Sequence, residues 1–302
     1  MKFAKHNFVK NHPLLILSLL GAFWWSSCNL INPEEQIPAY IYVEPFVMQA
    51  NPDINAGSLD HRISHVFVYA GEEFLGIYAL PALIPVLLEG QQTVLLDPGI
   101  RENGVSTTIG IYPFYERFQK TLTLAPGQID TLSPVTRYRT NSKIHFIEDF
   151  ESGLPIFSED RDSNPQTYLA SSNEEVFEGA GSGLIRLDTS NFFFDMGTDR
   201  AQLFKLQEGG KIYLEVNYKT DVDILFGLIE IDNTGQALSY FEYGLLARDT
   251  WNKVYFNLTE LVTVTNAEDY QVAITGGLPI ENGKFSLSEA NVYLDNIKLI
   301  SF

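Results

Sequence analysis

The chain has 302 residues, one cysteine and a formal net charge of −18, with 45% hydrophobic and 19% charged residues. That composition supports packed cores and excludes a disordered chain, and the length suggests two domains. The acidic balance argues against a nucleic-acid partner, and a lone cysteine rules out a disulfide framework.

The N-terminus carries Lys2, Lys5 and Lys10, then an apolar run over residues 13–25, then Ser26 and Ser27. This is the layout of a secretory signal peptide over residues 1–27, in a run too short to span a bilayer as a helix. Ser26-Ser27-Cys28 resembles the lipobox of bacterial lipoproteins, with Trp25 where leucine is usual. The resemblance implies that Cys28 becomes the mature N-terminus, carries acyl chains and anchors the protein to the outer membrane. An acidic chain gains nothing from anionic lipid, so the acyl chains would do the holding. The alternative is an ordinary signal peptide followed by a free thiol. Residues 28–38 hold two prolines and no periodicity, and read as a tether.

No long amphipathic helix follows; alternating runs and turn residues predict an all-β protein. A first β domain covers residues 39–140. Tyr40–Val43, His65–Tyr69, Phe74–Tyr78, Pro85–Leu88 and Thr93–Leu96 are its expected strands, and Asp97-Pro98-Gly99 is expected to break the chain. Residues 71–94, with Gly71, Gly76, Pro81, Gly90 and Val94, resemble PEGA-type and related immunoglobulin-like modules, which implies a small β-sandwich. Residues 139–143 are polar and read as a linker.

A second β domain covers residues 145–302. Residues 211–218, 251–258 and 292–299 alternate as strands. Four segments in order, Glu148–Glu151, Gly179–Leu187, Thr250–Phe256 and Tyr293–Ile297, resemble the galactose-binding-like jelly roll of many carbohydrate-binding modules. The expected architecture is therefore two β-sandwiches, immunoglobulin-like or PEGA-like and then jelly roll. Alternation places Asp295 on the face of Tyr293, Ile297 and Leu299, where a carboxylate must be paired, hydrogen-bonded or bound to a cation. The resemblance implies a structural Ca²⁺ held by Asp295 with Asp149 and Glu151 of the first strand, Glu148 being the fallback, and with carbonyls of the glycine-rich turn. The alternative is that Asp295 accepts hydrogen bonds from local backbone amides.

No enzyme motif is complete. Glu230 and Asp232 match the first half of a jelly-roll glucanase signature, but Gly235 stands where the third acid belongs. Histidines His61, His65 and His145 lack metal-ligand spacing, and no nucleophile elbow or phosphate loop is present. The aromatic clusters 192–194 and 240–243 must turn some members outward if they lie on strands. Tyr168, Asp223, Tyr240, Glu242 and Tyr243 would then line a glycan groove; the alternative is core packing. The sequence thus reads as a non-catalytic cell-envelope lipoprotein that binds glycan or mediates adhesion through its jelly roll. Two alternatives stay open: a structural or accessory subunit docked on an outer-membrane protein, and a degenerate glycoside hydrolase.

Overall fold

The computed structural model describes residues 35–207, 209–265 and 267–302. The expected signal peptide and the expected lipid anchor at Cys28 lie outside the described residues. The fold is all-β, built as two β-sandwich units with, among the described residues, one seven-residue helix, Thr259–Thr265.

In the N-terminal unit, Ala39–Val43 lies between Ala82–Val86, antiparallel, and Ile129–Leu132, parallel. The facing sheet runs Glu73–Ala79, His65–Ala70, Gly90–Arg101, Ile109–Ile111, with Phe118–Leu124 also paired to Gly90–Arg101. Strict alternation in AYIYV and HVFVYA sends Ile41, Val43, Val66 and Val68 into the core between the sheets. The expected break at Asp97-Pro98-Gly99 does not occur, because Gly90–Arg101 runs through it. At this point the strand changes partner on one side, from Phe118–Leu124 to Ile109–Ile111. The Pro98 carbonyl accepts from Tyr112 N–H on that side (3.0 Å). The N and O of a strand residue share a side, so the missing N–H falls at the gap between partners and costs no bond to His65–Ala70. Asp97 is buried because Arg117 grips both its oxygens, at 2.7 and 2.5 Å.

In the C-terminal unit, one sheet has the order Ala170–Ser172, Ser182–Asp188, Glu289–Ser301, Ile212–Thr220, Arg248–Asn257, with Lys143–Glu148 on the far half of Glu289–Ser301. The other has the order Glu159–Asp160, Phe193–Gly197, Asp269–Gly277, Ile224–Ile231, Ala237–Leu245. Leu214, Val216, Val254 and Leu294 from the first pack on Phe194, Phe226, Leu228 and Val272 from the second. Together these strands form a jelly-roll sandwich.

The outer face of the first of these sheets is covered in part by the N-terminal unit. Its Tyr213, Tyr255 and Ile300 belong to the same apolar cluster as the N-terminal core. Tyr112 meets Tyr213 edge to face, with ring centroids 5.2 Å apart. The 139–143 stretch, expected to be a loose linker, is fastened to this seam. Arg139 donates its N–H to Phe114 O (2.8 Å) and its Nε–H to Tyr115 O (3.0 Å), and Ser142 is buried.

Candidate functional site

A cleft of about 1040 Å³ opens at the edge of the jelly roll where Lys143–Glu148 leads into Glu159–Asp160. Its shape follows from one carboxylate. Glu148 ends the strand fully buried, and its oxygens accept the N–H groups of Phe150 (2.8 Å) and Ile156 (2.5 Å). Both ends of the 149–156 loop are thereby held by one side chain. Burial raises the Glu148 carboxyl, and the two amides oppose the rise. Phe150 takes a left-handed backbone (φ 58°), which turns its ring into the core and leaves Asp149 and Glu151 exposed.

Phe146, Phe157, Leu169 and Met196 form the cleft floor. Tyr168 stands on the rim at 57% exposure, and Leu154 at 85%. The acceptors around it are Asp149, Asp160 and Asp199, with Gln202 beside them. Burial and then the neighbouring Asp160 raise the Asp162 carboxyl. His145 is neutral at pH 7, pushed down to about 4 by burial and by Lys143, with its Nε2 2.9 Å from Ser301 Oγ. An exposed aromatic face above an apolar floor, ringed by carboxylates and an amide, suits a ligand with one apolar face and several hydroxyls.

The expected groove residues do not converge. Tyr168 alone reaches the cleft. Tyr240 packs on the core. Tyr243 is buried and donates to Asn257 O (2.8 Å). Glu242 is the extra residue of a bulge opposite Phe226 and Gly227, and with Tyr243 it lines a separate cavity of about 530 Å³. Asp223 accepts the Ala247 N–H (2.8 Å) across the open end of the hairpin formed by Ile224–Ile231 and Ala237–Leu245. Within Ala237–Leu245 the bulge breaks the period-two rule on which a shared face for Tyr240 and Glu242 depended. Asp232 accepts from Thr234 and Gln236 within a turn, so it forms no acid pair with Glu230. Asp160 reaches the cleft from the two-residue edge strand, and Asp199 and Gln202 from the segment after Phe193–Gly197; none of these carries a sequence signal.

The expected calcium ligands do not fit a cation either. A bulge at Asn296 (φ 47°) shifts the register, so that Glu215 faces Lys298 while Asn217 faces Asp295. Ile297 and Leu299 therefore enter the core, whereas Asp295 stays on the opposite face with Tyr293. Asp295 Oδ1 accepts Asn296 N–H (2.8 Å) and Oδ2 accepts Glu178 N–H (3.2 Å). Glu151 accepts the N–H groups of Ala180 (2.7 Å) and Gly181 (3.1 Å), and Asp149 accepts that of Glu151. The glycine-rich turn thus offers these acids amide hydrogens where a hard cation needs oxygens. Among the described residues no three of His, Cys, Asp and Glu converge as a metal set. Burial pushes Asp295 up to about 7 against the pull of the Glu178 and Asn296 amides.

The seam between the two units holds a second set of groups missed in the sequence. Glu215 is fully buried, with Lys253 Nζ at 3.1 Å and Lys298 Nζ at 3.6 Å. The Tyr112 and Tyr138 hydroxyls donate to it at 2.6 and 2.8 Å. Burial raises this carboxyl, but Lys298, Lys253 and the two hydroxyls outweigh burial and hold it at about 2. Lys298 is pushed down to about 8, burial prevailing over Glu215.

No family model and no curated protein matches the chain. Among solved structures it is similar to the CBM22-2 xylan-binding domain of Xyn10C from Paenibacillus barcinonensis, at 14% identity over 52% of this chain and 99% of that domain, TM-score 0.38. It is also similar to the C-terminal family 22 carbohydrate-binding module of Clostridium thermocellum Xyn10B, at 15% identity over 52% of this chain and 92% of that one, TM-score 0.35. A third likeness is to a family 29 module complexed with cellulohexaose, at 12% identity over 53% of this chain and 91% of that one, TM-score 0.34. At these values no functional residue passes from those modules to this chain.

Proposed function

We propose that this chain is a non-catalytic glycan-binding protein of the cell envelope, anchored by lipid on Cys28, with the cleft beside Tyr168 as its binding surface. The observation that carries the reading is the exposed Tyr168 ring over an apolar floor, with Asp149, Asp160 and Asp199 around it. A sugar ring buries its C–H face on an aromatic and donates its hydroxyls to carboxylates, which this arrangement accommodates. Cleavage would need two carboxylates in fixed geometry, one held protonated as the acid, and the Glu230–Asp232 motif does not assemble such a pair.

A glycan array followed by calorimetry on residues 28–302 tests the reading. Tyr168→Ala is expected to weaken the best ligand about tenfold, equivalent to about 1.4 kcal/mol. No reducing sugar should be released. Full affinity in Tyr168→Ala would remove the cleft as the binding surface. An array without hits, with an outer-membrane protein co-purifying, would favour the docking role instead.

A further inference from the structure

In this strongly acidic chain the arginines are nearly all accounted for by protein acceptors. Arg117, Arg137, Arg161, Arg186 and Arg200 each pair with a carboxylate, and Arg139 donates to the Tyr115 carbonyl. Among the described residues, Arg62, Arg101 and Arg248 have no acceptor for their guanidinium groups. All three line one cavity of about 230 Å³.

Chain topology brings them together. Arg62 precedes the strand His65–Ala70, Arg101 ends Gly90–Arg101, and Arg248 begins Arg248–Asn257. Two cations come from the N-terminal unit and one from the jelly roll, so the cavity spans the seam. Each arginine is exposed and open to a ligand. The backbone here is fixed by the same seam: Arg62 N–H donates to the Tyr255 hydroxyl (2.8 Å), and Asn103 N–H donates to Tyr255 O (2.8 Å). A neighbouring cavity of about 280 Å³ shares Arg62, Arg248, Asn252 and Lys253 and adds Trp251. Trp251 Nε1–H is buried without an acceptor. The charge on Lys253 is already matched by Glu215 at 3.1 Å. Among the described residues the only acid on the walls of the two cavities is Asp60, which accepts from Asn217 Nδ2 (2.8 Å).

Three guanidinium groups around one small cavity repel one another, and their proximity is felt at Arg62. Burial first, then Arg248 and Arg101, lower its affinity for its proton. A guanidinium presents planar forks of N–H donors that match the oxygens of phosphate or sulfate. The cavity volume equals about eight waters at ~30 Å³ each, room for one tetrahedral group but not for a polymer. The net charge of −18 repels a polyanion. At physiological salt, however, charges beyond about 8 Å are largely screened. A small anion in the cavity therefore senses the three arginines and little of the distant carboxylates.

We propose that the seam cavity of Arg62, Arg101 and Arg248 is a binding site for a small ligand bearing a phosphate or sulfate group, held by arginine forks from both units. The site is separate from the Tyr168 cleft and does not depend on it. Such a ligand ties the two units together, and a ligand that binds only the folded chain stabilises it by mass action.

The test uses residues 28–302, with inorganic phosphate and inorganic sulfate titrated by calorimetry and thermal melting at ionic strength matched with chloride. Saturable heat and a rising Tm are expected from one or both ions. Arg101→Gln and Arg248→Gln, at exposed positions, should each weaken binding at least tenfold. Arg186→Gln, which breaks a surface pair elsewhere, should leave it unchanged. Glucose 6-phosphate and galactose 6-sulfate separate the sources: tighter binding than the free ion identifies an esterified sugar, and equal binding identifies the ion itself. No saturable response from either ion would overturn the proposal. So would equal responses in the wild type and the Arg101→Gln/Arg248→Gln double variant, or an equal loss in Arg186→Gln.

Discussion

Glu215→Gln is the most exacting perturbation of this fold. The carboxylate sits fully buried between Lys253 and Lys298 and accepts the hydroxyls of Tyr112 and Tyr138. Glutamine keeps the shape and one acceptor but leaves two ammonium groups buried without a counter-charge. Removing one partner of a buried pair costs about 3–5 kcal/mol, which for a protein of this size lowers Tm by roughly 6–20 °C. Urea unfolding at pH 7, followed by circular dichroism, reads the difference. The pH dependence sets this apart from a simple packing defect. Glu215 is held at about 2, below the ordinary 4.5. Its stabilising contribution is therefore present above about pH 4.5 and is lost as pH falls towards 2. That shift is worth about 3 kcal/mol to the wild type, and the variant has no such group to lose. On the alkaline side, Lys298 already sits at about 8 in the wild type. A lysine lowered in the folded state binds fewer protons there than in the unfolded chain, so stability rises with pH through that window. Without Glu215 the lysine shifts further down, and the variant recovers stability as it deprotonates. The wild-type and variant stability curves should thus converge at both ends and lie furthest apart near neutrality. A deficit below about 1 kcal/mol at pH 7, or one that does not change with pH, would refute the reasoning.

Gly227→Ala should destabilise the jelly roll by about 3 kcal/mol or more in the same unfolding assay, because a Cβ there would lie 1.9 Å from Tyr240 O across the bulge; wild-type stability would show that the bulge opens freely. Asp295, raised to about 7, favours folding fully below about pH 4 and loses that contribution as pH rises through 7. Asp295→Asn should flatten this fall, and neither chain's Tm should respond to Ca²⁺ or EDTA; a Ca²⁺-dependent rise abolished by Asp295→Asn would restore the calcium site. A clickable palmitate fed to cells should label the wild type and not Cys28→Ala, and equal labelling would remove the lipid anchor.

The strands were legible where alternation was clean. HVFVYA folds as read, because period two is what a pleated strand with one core face imposes. The alternating 211–218 run forms the strand Ile212–Thr220, although both of its faces are buried, one in the jelly-roll core and one in the seam. The strand through Asp97-Pro98-Gly99 was not legible, since local turn chemistry was outweighed by a change of partner strand. The bulge at Asn296 left only a faint trace, an asparagine that tolerates the left-handed backbone. One residue inserted there moved Ile297 and Leu299 into the core and separated them from Asp295, which undid the face assignment on which the calcium site rested.

The candidate sites were less legible, for a related reason. Glu215, Asn217, Lys253 and Lys298 alternate with apolar residues, as the solvated face of a sheet would. Only their partners distinguish a dry seam from a wet surface, and Tyr112 and Tyr138 lie 103 and 77 positions from Glu215. Tyr168 could be singled out because exposure of an aromatic in a polar loop is a local property. The arginine cavity depends on a global one: Arg62, Arg101 and Arg248 stand out only after each other arginine has been matched to its acceptor. A net charge of −18 masks that residue of unmatched positive charge in any sum over the sequence. The seam therefore joins two opposite ways of matching charge between the units. At Glu215 the protein supplies the counter-ion, and at the three arginines it leaves that role to a ligand.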